Sequence, residues 1–293
     1  MQNPINTHVP TLATSALLFD ISFSVWTGRK QDKNATREVT NNKKAAKDAA
    51  SVTKYLMAGT DKLSKIVAYT QQVRQWVNAN TLPWSDTGTR LLPAEKFMEF
   101  KDELNKMENS YHALVHEFLN EYPTLVSAAA FKLGDMFNRD EYPTVFDIQD
   151  KFGVNYSFSP ITQVQDFRVQ MGEETVRELR NQYETFLEKK LNSAMEEAWG
   201  RLYDTLTHMS TQLGVDEFGK KKKFHGSVLS GATELCGLLT SFNITNDSKL
   251  EAMRKDLENV LFGVDADEVR KREGAREELK SRVDSLLEKF GEF

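Results

Sequence analysis

Residues 93–122 read PAEKFMEFKDELNKMENSYHALVHEFLNEY. Their apolar side chains fall at Phe97, Phe100, Leu104, Met107, Tyr111, Leu114 and Phe118, in alternating steps of three and four. Such a coiled-coil-like seam is a narrow stripe down one side of a long helix, and it asks for a second long helix beside it. Pro93 opens this helix at a position where its missing N–H costs nothing. The matching stretch is Glu173–Leu213. Val176, Leu179, Tyr183 and Phe186 keep the same spacing there, as do Met195, Trp199, Leu202, Leu206, Met209 and Leu213. Leu187 and Leu191 join the two halves with a frame shift that locally unwinds a supercoil. The two stretches predict a long antiparallel helix pair.

Around this pair the period changes. Phe19, Ile21, Phe23 and Val25 alternate with polar residues in Leu17–Trp26, which predicts a strand covering something apolar. Val154, Tyr156 and Phe158 alternate likewise, and so do Phe167, Val169 and Met171. Together they predict a three-stranded sheet, about the minimum for independent stability. Helices are expected over Asp32–Ala58, Asp61–Val77, Leu125–Leu133, Ser227–Thr240, Ser248–Phe262 and Asp265–Phe290. A loop is expected over Asn78–Leu92 and a break at Pro123–Thr124. Gly134 is expected to cap one helix and Gly172 another, and Thr144 with Asp147 to start a short one. The fold class is therefore mainly α with a small β-sheet, an α+β fold. Residues 1–172 are expected to form a head with the first long helix, 173–213 the second long helix, and 214–293 a C-terminal helical region. The sparse apolar stripe of the tail predicts that it docks on the body or on a second copy.

The 293 residues carry a net charge of −5, so no global basic balance argues for nucleic acid. The charge is uneven. Arg29–Lys65 holds ten Lys/Arg against four Asp/Glu, or +6, and Glu95–Phe152 holds six against twelve, or −6. The single cysteine, Cys236, allows no intrachain disulfide and suits a reducing compartment. The first residues lack the basic start and long apolar core of a secretion signal, and no run of about 18 apolar residues spans a membrane. The expectation is a soluble, cytoplasmic protein without cofactor or metal.

Few residues suggest chemistry. His112 and His116 lie one helical turn apart, but without the internal glutamate of a zincin helix and without an evident third ligand. Neither phosphate-cradling glycine motif occurs, nor G-x-S-x-G. Cys236 sits in the apolar run Leu235–Leu239, where a thiol acts as a small hydrophobe. The remaining candidates are cationic. Arg29, Lys30, Lys43, Lys44, Lys47 and Lys54 form the expected basic helix and its approach, with Trp26 beside them as either a packing residue or a stacking one. Lys220, Lys221, Lys222 and Lys223 form a loop. An aromatic beside cations suits single-stranded nucleic acid, and a charge run alone is more often a solvated surface.

Several short motifs carry a family resemblance. They are Val25-Trp26-Thr27-Gly28-Arg29-Lys30, Leu91-Leu92-Pro93, Tyr122-Pro123, Gly134-Asp135-Met136-Phe137, Tyr142-Pro143, Phe152-Gly153 and Asp166-Phe167-Arg168-Val169. Over Leu17–Leu213 the chain resembles a family of unknown function found in phages and bacterial mobile elements. Its genes lie near MoxR-type AAA+ ATPases, von Willebrand-type partners and recombination genes. The resemblance implies a non-enzymatic protein acting by protein–protein interaction, with an AAA+ ATPase in DNA metabolism as a partner, and it supplies no catalytic residues. The alternatives are a single-stranded nucleic-acid-binding recombination accessory and an inhibitor of a host defence complex that uses its acidic segment. Self-association is expected under all three.

Overall fold

The computed structural model describes residues 8–162, 173–272 and 274–290, with the backbone alone for 8–11. The helices are α1 (His8–Ser15), α2 (Lys33–Asn42), α3 (Lys62–Asn80), α4 (Phe97–Leu133), α5 (Val145–Gln149), α6 (Glu173–Leu213), α7 (Ser227–Phe242), α8 (Ser248–Leu261), α9 (Ala266–Lys271) and α10 (Ala275–Phe290). The strands are β1 (Ala16–Ser24), β2 (Arg29–Gln31), β3 (Thr53–Tyr55), β4 (Leu82–Pro83), β5 (Arg90–Pro93) and β6 (Gly153–Pro160). The fold is mostly helical with a small antiparallel sheet, as the periodicities predict.

The sheet differs in detail. It has four strands in the order β4-β5-β1-β6, and β2 and β3 form a separate two-stranded ribbon. The expected strand at 167–171, the Gly172 cap and the Asp166–Val169 motif lie outside the described residues. Two of the four strands come instead from the stretch expected to be a loop. There the chain reverses between Trp84 and Thr89, with Gly88 at φ +107°, and β5 pairs with β1 in the register Leu17↔Leu92 and Leu18↔Leu91. Strands of two and four residues are too short to display a period of two.

The chain divides into two compact units. Unit 1 comprises Met1–Asp20, Asn78–Met98 and Phe158–Phe293, and unit 2 comprises Ile21–Val77 and Glu99–Ser157. Each has its own apolar core. In unit 1, α6 buries Leu187, Ala194, Ala198, Leu202, Leu206, Met209 and Leu213, packing mainly on α10 and α7, while α8 packs on α7 and α10. In unit 2, α4 buries Tyr111, Val115, Phe118, Tyr122, Val126 and Ala129 in one core with Leu56, Leu63 and Ile66. The long-pair expectation is thus corrected. The stripe is buried on α4 from Phe100 to Phe118 and on α6 from Leu187 to Leu213, each in its own unit, whereas the first part of the expected α6 stripe is not, with Val176, Leu179 and Tyr183 half-buried and Phe186 exposed. Periodicity shows that a stripe is buried, and it does not name what covers it.

Three further boundaries move. α4 runs unbroken through Pro123, which lies on its solvent side. The ring removes one helical hydrogen bond at a cost of roughly 3 kcal/mol, and burial of Tyr122, Val126 and Ala129 on the opposite side offsets it. Gly134, at φ +50°, then ends the helix. The tail is two helices, since Gly274 at φ +81° turns the chain between α9 and α10. α10 docks on α6 and α8 of its own chain, so covering its stripe requires no second copy. Its buried Arg276 donates to the carbonyls of Gln212, Leu213 and Gly214, satisfying the end of α6.

The third correction is the basic helix. Only Lys33–Asn42 is helical. Asp32 caps its start by accepting from the Asn34 and Ala35 amides. After the poor helix formers Asn41 and Asn42 the chain turns through 43–50 and returns as β3. The ribbon is extended by Asp32 N–H donating to Val52 O at 2.9 Å and Leu56 N–H to Gly28 O at 2.7 Å.

Candidate functional site

The two-stranded ribbon of unit 2 places the cationic candidates. Its register is Arg29↔Tyr55, Lys30↔Lys54 and Gln31↔Thr53. Residues opposite each other share a face, and every second residue returns to it. One face therefore carries Arg29, Gln31, Thr53 and Tyr55, all exposed. The Arg29 guanidinium carbon lies 5.3 Å from the centre of the Tyr55 ring, within cation–π range. The other face carries Lys30 and Lys54.

Lys54 does not belong to a solvent-facing contact. It is 6% exposed, with Glu141 at 2.7 Å, Asp32 at 3.3 Å and the Met136 carbonyl at 2.7 Å. Burial works to lower its pKa, but hydrogen bonds and attraction from Glu141 and Asp32 outweigh it and hold the ammonium above the usual lysine range. The Ala35 amide, together with Lys54, holds Asp32 below the usual carboxylate range against its own desolvation. Lys54 thus ties the ribbon and the start of α2 to the 136–141 segment. Trp26 also faces inward, 6.0 Å from Tyr122 and 6.4 Å from Phe118, so it is a packing residue.

Lys43, Lys44 and Lys47 are exposed on the turn after α2. The Lys44 N–H donates to Asn41 O and the Ala45 N–H to Thr40 O, the two bonds of a Schellman cap. Lys44 occupies the left-handed position of that cap, at φ +50°, where glycine or asparagine is usual. Arg29, Lys30, Lys33, Lys43, Lys44 and Lys47 have no carboxylate oxygen within 4.0 Å among the described residues.

The Lys220–Lys223 loop belongs to unit 1. It is closed by a bridge between Val215 and Lys221, and Lys221 is paired with Glu277 at 2.7 Å. Lys220 and Lys223 are exposed and Lys222 is half-buried, and these three have no carboxylate oxygen within 4.0 Å among the described residues. The acidic segment is also partly neutralised, because Lys62 holds both Glu117 and Glu121. His112 and His116 are exposed, and no group of three or more metal-ligating side chains occurs among the described residues. Cys236 is buried, and desolvation pushes its thiol up to about 11. No helix among the described residues is long and apolar enough to cross a membrane.

Sequence reading named Arg29 of this face and missed Gln31, Thr53 and Tyr55, of which Tyr55 is the aromatic. The signal was present. Val52-Thr53-Lys54-Tyr55-Leu56 holds two β-branched residues and an aromatic, although its apolar residues do not alternate. The alanine-rich run Ala45–Ala50 masked it by extending the apparent helix.

A family model described as a protein of unknown function, DUF3150, matches residues 14–267. The chain is a member of the DUF3150 family. No curated protein and no solved structure matches it. The DUF3150 match covers the ribbon, the lysine turn, both long helices and the Lys220 loop, so the cationic face belongs to the family region rather than to an appended tail.

Proposed function

We propose that this DUF3150 protein is a non-enzymatic binding protein whose working face is the ribbon and lysine turn of unit 2, meeting an anionic macromolecule. The observation that carries the reading is a set of six exposed cations, Arg29, Lys30, Lys33, Lys43, Lys44 and Lys47, with no carboxylate oxygen within 4.0 Å among the described residues, against three lysines without one on the Lys220 loop. A surface built only for solubility intersperses both signs. A single-sign face raises the local concentration of an oppositely charged partner and speeds its capture. The setting suggested by the family resemblance is the DNA metabolism of a phage or mobile element. The test is retention on immobilised heparin, used as a generic polyanion. The wild-type chain should bind and elute with salt, and Lys43→Glu/Lys44→Glu/Lys47→Glu should elute far earlier. An unchanged elution position would overturn the reading.

A partner protein, with an AAA+ ATPase as the expected class, is the second reading. Phe131 and Phe146 of unit 2 are 91% and 83% exposed, and aromatic residues are enriched in protein–protein interfaces. Affinity capture should recover an ATPase whose binding is lost in Phe131→Ser or Phe146→Ser. Capture that is indifferent to both substitutions would remove this reading.

A further inference from the structure

We infer that the outer face of the β2–β3 ribbon is a stacking platform for single-stranded nucleic acid, with Tyr55 taking a base and the lysine turn taking phosphates. The inference rests on the polyanion reading above and names its ligand.

The platform is exposed and firmly held. Tyr55 is 58% exposed, and the Arg29 guanidinium sits over its ring, leaving the opposite side of the ring to a base. Gln31 and Thr53 share this face and offer an amide and a hydroxyl to base edges. Beneath it, Leu56 and Met57 are buried in the unit 2 core, and Lys54 anchors the inner face. Gly28 fixes the entry to β2. It has φ +58°, and a Cβ there would come within 2.6 Å of the Leu63 side chain. A rigid aromatic platform loses little freedom when a base stacks on it.

The lysine turn stands at the far end of α2, about 15 Å along its axis at roughly 1.5 Å per residue. A strand stacked on Tyr55 needs a few nucleotides to cover a helix of that length and bring its backbone to Lys43, Lys44 and Lys47. Lys44 is the unusual member, since a lysine in the left-handed region is strained and such outliers cluster where a side chain is used. An acidic protein would meet the lysines equally well but has no aromatic base plane to set against Tyr55. A duplex keeps its base planes stacked inside. The single strand is the one polyanion that uses both halves of the face.

The experiment is fluorescence anisotropy of a dye-labelled oligothymidylate with the full-length protein across a salt series, with circular dichroism to verify folding of each variant. Tyr55→Ala should weaken binding roughly tenfold or more, from the usual strength of a base–aromatic stack, without changing the salt dependence. Tyr55→Phe should bind as wild type does. Lys43→Ala/Lys44→Ala/Lys47→Ala should reduce the slope of log affinity against log salt by about two. If oligothymidylate fails to bind while heparin retention persists, this inference falls and the polyanion reading stands. Tighter binding of a duplex of equal length, or a Tyr55→Ala variant that binds normally, would also overturn it. Loss of heparin retention in the wild type would overturn both.

Discussion

Ten of the twenty residues from Arg29 to Asp48 are charged, and so are twenty-one of the forty-three from Ser248 to Phe290. The densities are alike and the uses are opposite. In the second region, which belongs to unit 1, ten cations face eleven anions, and at least seven of the ten are paired with a carboxylate. Arg254 bonds Glu251 and Glu258, Arg270 and Lys271 bond Asp267, Arg272 bonds Glu278, and Lys289 reaches Asp256. Most are i,i+3 or i,i+4 neighbours on one helix, the spacing at which helical side chains meet. In the first region seven cations face three anions, and the one buried carboxylate, Asp32, is taken by Lys54. Charge composition alone does not separate a self-satisfied surface from one that presents charge outward. The pairing does.

The largest effect should come from Lys54. Lys54→Met removes the cation between two partly buried carboxylates, and breaking such a pair costs about 3 kcal/mol. Urea unfolding should show this loss, whereas Lys43→Met should lie within about 0.5 kcal/mol of wild type. Equal effects would erase the distinction between the inward and outward lysines of one short stretch.

The paired region should reveal itself through pH. The Arg254 guanidinium, opposed by desolvation, draws the Glu251 carboxyl down to about 2 from an ordinary value of 4.5. Because the folded value is depressed, the stabilisation is fully present above pH 4.5 and lost as pH falls toward 2. Glu251→Gln should remove about 1 kcal/mol at neutral pH, a size typical of well-formed exposed pairs, and should flatten stability across that window. An acid transition of unchanged shape would break the assignment.

A smaller effect of opposite sign is expected at Lys44. Lys44→Gly relieves the left-handed backbone and should stabilise the chain by about 0.5–1 kcal/mol, raising the melting temperature while weakening polyanion binding. A variant that gains stability and loses no affinity would mean that the strained lysine serves only the turn. The smallest effect should be at Lys271, whose pair with Asp267 is exposed and screened by water; Lys271→Ala should barely move the thermal midpoint.

The long elements were legible because periodicity accumulates over many turns. The seam from Phe100 to Phe118 and the stripe from Leu202 to Leu213 are both buried where the spacing placed them. Their covering partners were not legible, because an apolar stripe is complementary to any other. The candidate face was half legible. Its cations stand in the sequence, but Lys54 cannot be told from Lys43 until Glu141, 87 residues further on, is brought against it. Tyr55 was hidden because three residues of strand carry less signal than the alanines before them.

The most direct test compares the two kinds of basic site in one salt gradient on immobilised heparin. Wild type, Lys43→Glu/Lys44→Glu/Lys47→Glu in unit 2, and Lys220→Glu/Lys222→Glu/Lys223→Glu in unit 1 should be eluted side by side. The two variants change net charge equally. The expected result is that the unit 2 variant loses retention and the unit 1 variant keeps most of it. Equal losses, or a larger loss in the unit 1 variant, would contradict the assignment of the working face to the ribbon and its lysine turn.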